Sequence, residues 1–186
     1  MATATQSVIL TYDDLDFIPQ ERGGDRHELF DGELVVTPSP IPDHQLVSAN
    51  TVRVLEGVVY PRGLGRVYTA PIDVHLAPPV VMIPDLVFIS QARLGIIGPK
   101  AIEGAPDVVV EILSPSTRRR DQGRKKEIYA RFGVPEYWLL GPRTRSMTAL
   151  VLHDGVYQPL PEENGIIRST VLPGLVVVVA DLFEGV

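Results

Sequence analysis

The run Val108–Leu113 (VVVEIL) constrains the fold of this chain more than any other segment. A short, nearly continuous apolar run of this length is typical of a strand that is buried on both faces. Glu111 lies inside it, and an unpaired carboxylate costs several kcal/mol to bury, in order of magnitude. We therefore expect Glu111 to be ion-paired, protonated or bound to a metal. A Glu on the wet face of an edge strand is the structural alternative.

A second compact apolar run, at 86–89, begins directly after Pro84 and Asp85. If this strand and the VVVEIL strand are neighbours in one sheet, Asp85 and Glu111 converge at one end of it. Two hard oxygen ligands with open positions for water suit Mg²⁺, which activates water and offsets charge on a phosphate. Alternatively, Asp85 is a solvated residue at the end of a strand.

The segment 118–132 predicts a helix that is basic in a chain of net charge −6. Its Lys125 lies four residues before Tyr129, so the two share one face, and Lys125 is a candidate to support the attacking water. Five other cations of this segment are candidates to contact nucleic-acid phosphates. They are Arg118, Arg119, Arg120, Arg124 and Lys126. An exposed helix with ordinary solubilising charge is the alternative.

The rest of the chain predicts a mixed α/β (α+β) fold in which strands outnumber helices. Its 17 prolines and 16 glycines cut the chain into short elements. We expect a hairpin over 28–36 with an Asp31-Gly32 turn, a helix over 43–60 and a loop over 91–106. The length suits one domain over 1–186, in which residues 1–10 are expected to be flexible.

Composition excludes several classes of protein. The chain has no cysteine, so disulfides and thiolate zinc sites are excluded, which fits a cytoplasmic protein. No apolar run approaches the ~20 residues of a membrane helix, and the N-terminus has no secretory pattern. The four histidines lack zinc-binding spacing, and no phosphate-binding glycine motif is present.

The chain resembles the Uma-two family of bacterial restriction-endonuclease-like proteins. The resemblance rests on the segments HELFDGELVVTPSP, IPDLVFIS, APDVVVEILSPSTRRRDQGRKKEIYARFGVPEYWLLGP and LPGLVVVVADLF. It implies the PD-(D/E)xK nuclease fold, a restriction-endonuclease-like core whose central mixed sheet is flanked by helices, with additional β-hairpins. It also implies a Mg²⁺ cofactor, with Mn²⁺ as a substitute.

Within this resemblance, Asp85 matches the Asp of the PD motif and Glu111 matches the second acid. The chain departs from the motif at Leu113, where a lysine is usual, and the lysine corresponds instead to Lys125. Glu28 resembles an additional acid of such nucleases. His44 and Tyr129 are further candidates for the pocket.

Three functional hypotheses follow. The first is a Mg²⁺-dependent DNA endonuclease in which Asp85 and Glu111 hold the metal and Lys125 assists the water. The second is a catalytically inactive protein that binds nucleic acid, or regulates, on a nuclease scaffold. The third is a dimeric interaction module of a toxin or defence system, such as a homodimer, that uses the apolar segment LPGLVVVVADLF as an interface. A core strand is the alternative for this segment.

Overall fold

The computed structural model describes residues 9–19 and 25–186. In these residues the chain forms fourteen strands and two long helical segments. The strands are β1 Arg26–Phe30, β2 Glu33–Thr37, β3 Gly65–Thr69, β4 Val74–Ala77, β5 Val80–Met82, β6 Leu86–Ser90, β7 Ile102–Glu103, β8 Val108–Ile112, β9 Glu136–Gly141, β10 Ser146–His153, β11 Val156–Pro159, β12 Glu162–Glu163, β13 Ile166–Arg168 and β14 Val176–Val178. The flexible start predicted for residues 1–10 falls largely outside the described residues.

Two helices carry the residues that matter below. Helix α1 spans Pro42–Val59 and begins with a proline. Proline is favourable there, because a backbone N–H in the first turn has no hydrogen-bond partner within the helix. Helix α2 covers 118–131 without a break. It consists of α-helical turns at Arg118–Arg120 and Lys126–Arg131, which are joined by a π-helical turn at Asp121–Lys125. Both helices confirm the predictions over 43–60 and 118–132.

A six-stranded mixed sheet in the order β11-β10-β9-β8-β6-β3 forms the centre of the fold. Strands β8 and β9 are parallel, and the other neighbouring pairs are antiparallel. The apolar runs at 86–89 and 108–113 are therefore adjacent strands, as the sequence analysis required. In their register Leu86 is paired with Val110 and Phe88 with Val108.

Each face of the central sheet carries its own core, because successive side chains alternate between the two faces. On one face, Val108, Val110 and Ile112 pack with α1 and with the C-terminal segment. On the other face, Val109 packs with Ile128 and Tyr129 of α2 and with the five-stranded sheet β2-β1-β5-β4-β7. The fold is thus a mixed α+β fold with helices on both faces of a central sheet.

The hairpin β1–β2 confirms its prediction. Asp31 and Gly32 have φ values of 53° and 84°, the left-handed pair that a two-residue hairpin turn needs. Arg26 and Glu28 point to the same side of β1 as Phe30, since their spacing is two residues. This side faces α2, because Arg120 and Arg124 lie over the ring of Phe30.

The segment 91–106 differs from the predicted loop. It contains the 3₁₀ turn Gln91–Ile96 and the two-residue strand β7, which pairs in parallel with β4. Local sequence does not reveal β7, because so short a strand is defined by the strand that it joins.

The apolar segment near the C-terminus is mainly part of the core. Leu175, Val177 and Val179 are buried, whereas Val176 and Val178 are exposed. The homodimeric interface predicted for this segment stays a prediction. None of the helices among the described residues is long and apolar enough to cross a membrane.

Candidate active site

Asp85 and Glu111 lie on the same side of the central sheet, the side that α2 covers. Extending the β6–β8 register by one residue beyond Leu86 and Val110 places the two acids opposite each other. Glu111 shares its side of β8 with Val109, two residues before it. Both acids line one cavity of about 270 Å³, which Lys125 and His44 also line.

Asp85 is held by three donors. Its Oδ1 accepts a hydrogen bond of 2.6 Å from Nη1 of Arg26. Its Oδ2 lies 3.1 Å from Nε2 of His44 and accepts a bond of 2.7 Å from the backbone N–H of Ile112. Burial raises the pKa of Asp85, but the hydrogen bond and charge of His44, the charge of Arg26 and the Ile112 N–H together outweigh it and lower this pKa to about 2. Asp85 is therefore an anion at neutral pH.

Glu111 lies in a different environment, although it is Asp85's neighbour. Its Oε1 accepts hydrogen bonds of 2.9 Å from both Nζ of Lys125 and the hydroxyl of Tyr129. Burial raises the pKa of Glu111 to about 8, against the opposing charge of Lys125 and with smaller contributions from Asp121, Asp85 and Glu28. Asp85 and Glu111 thus have pKa values on opposite sides of neutrality, a pattern common at functional sites.

Lys125 has a buried ammonium group surrounded by acids. Its side chain is 3% exposed, and Nζ lies 2.9 Å from Oε1 of both Glu28 and Glu111 and 3.9 Å from Oδ1 of Asp121. Burial alone lowers the pKa of Lys125, but the charges of Glu111, Glu28 and Asp121 together raise it above its ordinary value. Lys125 therefore stays protonated. Glu28 is fixed in turn by accepting the backbone N–H of Ile83 at 2.9 Å.

All the residues proposed from sequence for the catalytic cluster come together in space. Asp85, Glu111 and Lys125 line the cavity with His44, and Glu28 and Tyr129 contact Lys125 and Glu111 directly.

Sequence reasoning missed two members of this cluster, Arg26 and Asp121. Arg26 lies two residues before Glu28, so strand alternation places both on one side of β1. Asp121 lies four residues before Lys125, the spacing of residues on one helix face. Neither signal is specific enough to single out the residue without the fold.

The basic residues of α2 separate into two groups. Arg118 and Arg119 are exposed, and Arg120 lines the cavity and donates to the hydroxyl of Thr37 at 2.6 Å. Arg124 instead pairs with Glu33 and donates to the carbonyl of Phe30. Arg124 is therefore tied to the β1–β2 hairpin. The cations available for a phosphate are Arg118, Arg119 and Arg120 at the start of the helix and, further along it, Lys126, which is partly exposed and has no ion pair among the described residues.

The two carboxylates fit a magnesium ion by their chemistry. Among residues 9–19 and 25–186, no three His, Asp or Glu side chains form a group that could hold a metal ion. Mg²⁺ seldom uses such a cage, because it keeps several waters and takes one or two carboxylates together with substrate phosphates. Two acids facing one cavity match that requirement.

Comparison with known proteins gives a family and a fold. The model of the Uma2 family, described as "Putative restriction endonuclease", matches residues 11–180. A crystal structure titled as that of "a putative nuclease belonging to DUF820" from Anabaena variabilis superposes with a TM-score of 0.76. It has 20% sequence identity, and the match covers 94% of this chain and 97% of that one. No curated protein matches the chain.

Proposed function

Because the chain belongs to the Uma2 family of restriction-endonuclease-like nucleases, we propose that it is a Mg²⁺-dependent endonuclease that hydrolyses phosphodiester bonds of DNA. One observation carries the proposal: Asp85 and Glu111 face each other across adjacent strands and line the same cavity as the buried ammonium of Lys125. This combination provides two carboxyl groups as oxygen ligands, of which Asp85 is an anion at neutral pH, and a fixed positive charge within one site of about 270 Å³.

Asp85 and Glu111 are the residues that would hold Mg²⁺. The ion, when bound, supplies a water of lowered pKa and a positive charge against the charge that develops on the phosphate. An ionised carboxylate has about four lone-pair sites, so Asp85 keeps acceptor capacity beyond its three donors. Arg26, His44 and the Ile112 N–H fix its orientation. Such fixed geometry removes the reorganisation that would otherwise slow the reaction.

Lys125 contributes a hydrogen-bond donor that stays charged. Glu28 holds Lys125 in place, and Tyr129 holds Glu111. The ammonium of Lys125 can donate to a phosphate oxygen or to the attacking water, which stabilises negative charge in the transition state. In this proposal Arg120, which lines the same cavity, and the exposed Arg118 and Arg119 contact neighbouring phosphates.

A plasmid-nicking assay with Mg²⁺ or Mn²⁺ tests the proposal. We expect Asp85→Asn and Glu111→Gln, which keep the side-chain shapes, to lower the nicking rate by at least about 100-fold. Glu127→Gln is the matched control, since it removes an exposed carboxylate from α2 and should nick at the wild-type rate. Equal activity in all four proteins, purified identically, would reject these assignments.

A second candidate function is a catalytically inactive nuclease scaffold that binds nucleic acid or serves a regulatory role. It is favoured by the internal pairing of the acids, because Asp85 has three donors and Glu111 two within the protein itself. Salt-sensitive binding of a DNA duplex, with no cleavage in any divalent metal and no change in Asp85→Asn, would support this alternative.

A further inference from the structure

Asp121 is a buried acid of the cavity to which the proposed reaction gives no role. It is 2% exposed, lines the cavity together with Asp85, Glu111 and Lys125, and lies at the start of the π-helical turn. The hydroxyl of Tyr137 donates to its backbone carbonyl at 2.9 Å, which fixes this turn. Single π turns within α-helices are frequent at functional sites.

The Oδ1 atom of Asp121 is buried and has no hydrogen-bond donor among the described residues. The nearest cation is Nζ of Lys125 at 3.9 Å, within ion-pair range but too far for a hydrogen bond. A buried carboxylate oxygen without a donor costs free energy. A folded chain that keeps one therefore invites a functional explanation.

Lys125 provides that explanation, because an ammonium group has three N–H donors. Glu28 and Glu111 lie 2.9 Å from Nζ, and the carboxylate of Asp121 is the next acceptor within ion-pair range among the described residues. The same Oε1 of Glu111 also accepts from Tyr129. A second cation that attracts Glu111 would compete with Lys125 for this carboxylate. A shift of Nζ by about 1 Å would then bring Asp121 into hydrogen-bond range.

We propose that Asp121 is a positioning residue that takes over Lys125 from Glu111 when a divalent cation binds Glu111. This inference rests on the proposed function. Glu28 remains a partner of the ammonium throughout, and Asp121 replaces Glu111 as its second partner. The exchange keeps Lys125 charged and beside the cleft while the Glu111 carboxylate is released for the cation. Asp121 acts through Lys125 and touches neither the substrate nor the ion.

Mn²⁺ titration of the full chain, in which free Mn²⁺ is measured by its electron paramagnetic resonance signal, tests the proposal without a cleavage assay. We expect Asp121→Asn to weaken Mn²⁺ binding by about 10- to 100-fold, the usual effect of removing a residue that orients a ligand. Glu127→Gln, the same loss of charge at an exposed position of α2, should bind as the wild type does. Unchanged affinity in Asp121→Asn would overturn the proposal.

A crystal structure of the wild-type protein with Mn²⁺ gives an independent answer, even if the variant does not fold. We expect Nζ of Lys125 to lie within hydrogen-bond distance of Asp121 and to have left Glu111. A structure in which Lys125 stays on Glu111, or in which Asp121 itself binds Mn²⁺, would overturn the proposal while the proposed function stands. Failure of the wild-type protein to bind Mn²⁺ at Asp85 and Glu111 would instead contradict the proposed metal site, and this inference with it.

Discussion

The buried ammonium of Lys125 should contribute several kcal/mol to the stability of the folded state, because three buried acids share it. In Lys125→Met the side chain keeps a similar volume, but Glu28, Glu111 and Asp121 lose their shared cation at a site that is 3% exposed. Removal of one partner from a buried ion pair costs about 3–5 kcal/mol. A buried carboxylate that has lost its cation can become neutral by taking up a proton.

This loss of stability predicts a measurable fall in melting temperature. For a chain of 186 residues, each kcal/mol of lost stability lowers the melting temperature by about 2–4 °C. We therefore expect Lys125→Met to melt about 6–20 °C below the wild-type protein. Circular dichroism and differential scanning calorimetry at pH 7, without divalent metal, measure this shift.

Lys126→Met is the matched control. It makes the same substitution one residue along α2, where the structure gives the side chain no ion pair among the described residues and leaves it partly exposed. Its melting temperature should stay within about 2 °C of the wild type, as surface substitutions usually do. If both variants melt alike, Lys125 is not the shared cation of three buried acids, and the reasoning about this cavity is refuted.

Three further predictions concern the scaffold and the basic helix. Glu136→Gln should lower the free energy of unfolding by about 1–3 kcal/mol in urea denaturation, because the carboxylate accepts hydrogen bonds from both the N–H and the hydroxyl of Thr170. An unchanged free energy would show that these hydrogen bonds do not stabilise the fold. Gly65→Ala should destabilise the protein by at least about 1–3 kcal/mol in the same assay, since a Cβ on a residue with φ of 152° would collide with the carbonyl oxygen of Ile89. In Arg119→Ala, the plot of log affinity for duplex DNA against log salt concentration should become less steep by about one unit of slope. Fluorescence anisotropy measures this affinity, and an unaltered slope would show that Arg119 does not contact phosphate.

Periodicity predicts the long elements of the fold well. The apolar spacing predicts α1 nearly to its ends, and the Asp31-Gly32 turn marks the first hairpin, because only residues that accept positive φ suit it. The short strands β7 and β12, of two residues each, leave no such trace. Their existence depends on backbone partners that are distant in the chain.

The candidate site divides in the same way. Glu111 stands out in its apolar run because burying a charge is costly, and Asp85 stands out at the start of the second buried strand. Lys125 corresponds to the nuclease lysine through the family resemblance. The roles of Arg26 and Asp121 were not predicted, since an arginine in a polar strand and an aspartate in a basic helix are ordinary in sequence. Only their positions beside Asp85 and Lys125 distinguish them.

The sequence by itself determined which segments are buried, because hydrophobic periodicity is a local property, and it identified a carboxylate whose burial needs a partner. The tertiary structure decided which partner each charge has. Glu111 and Lys125 are 14 residues apart, whereas Arg26 and Asp85 are 59 residues apart. Electrostatic energy depends on distance in space and on exclusion of water, so the division between a carboxyl with a lowered pKa and one with a raised pKa exists only in the folded chain.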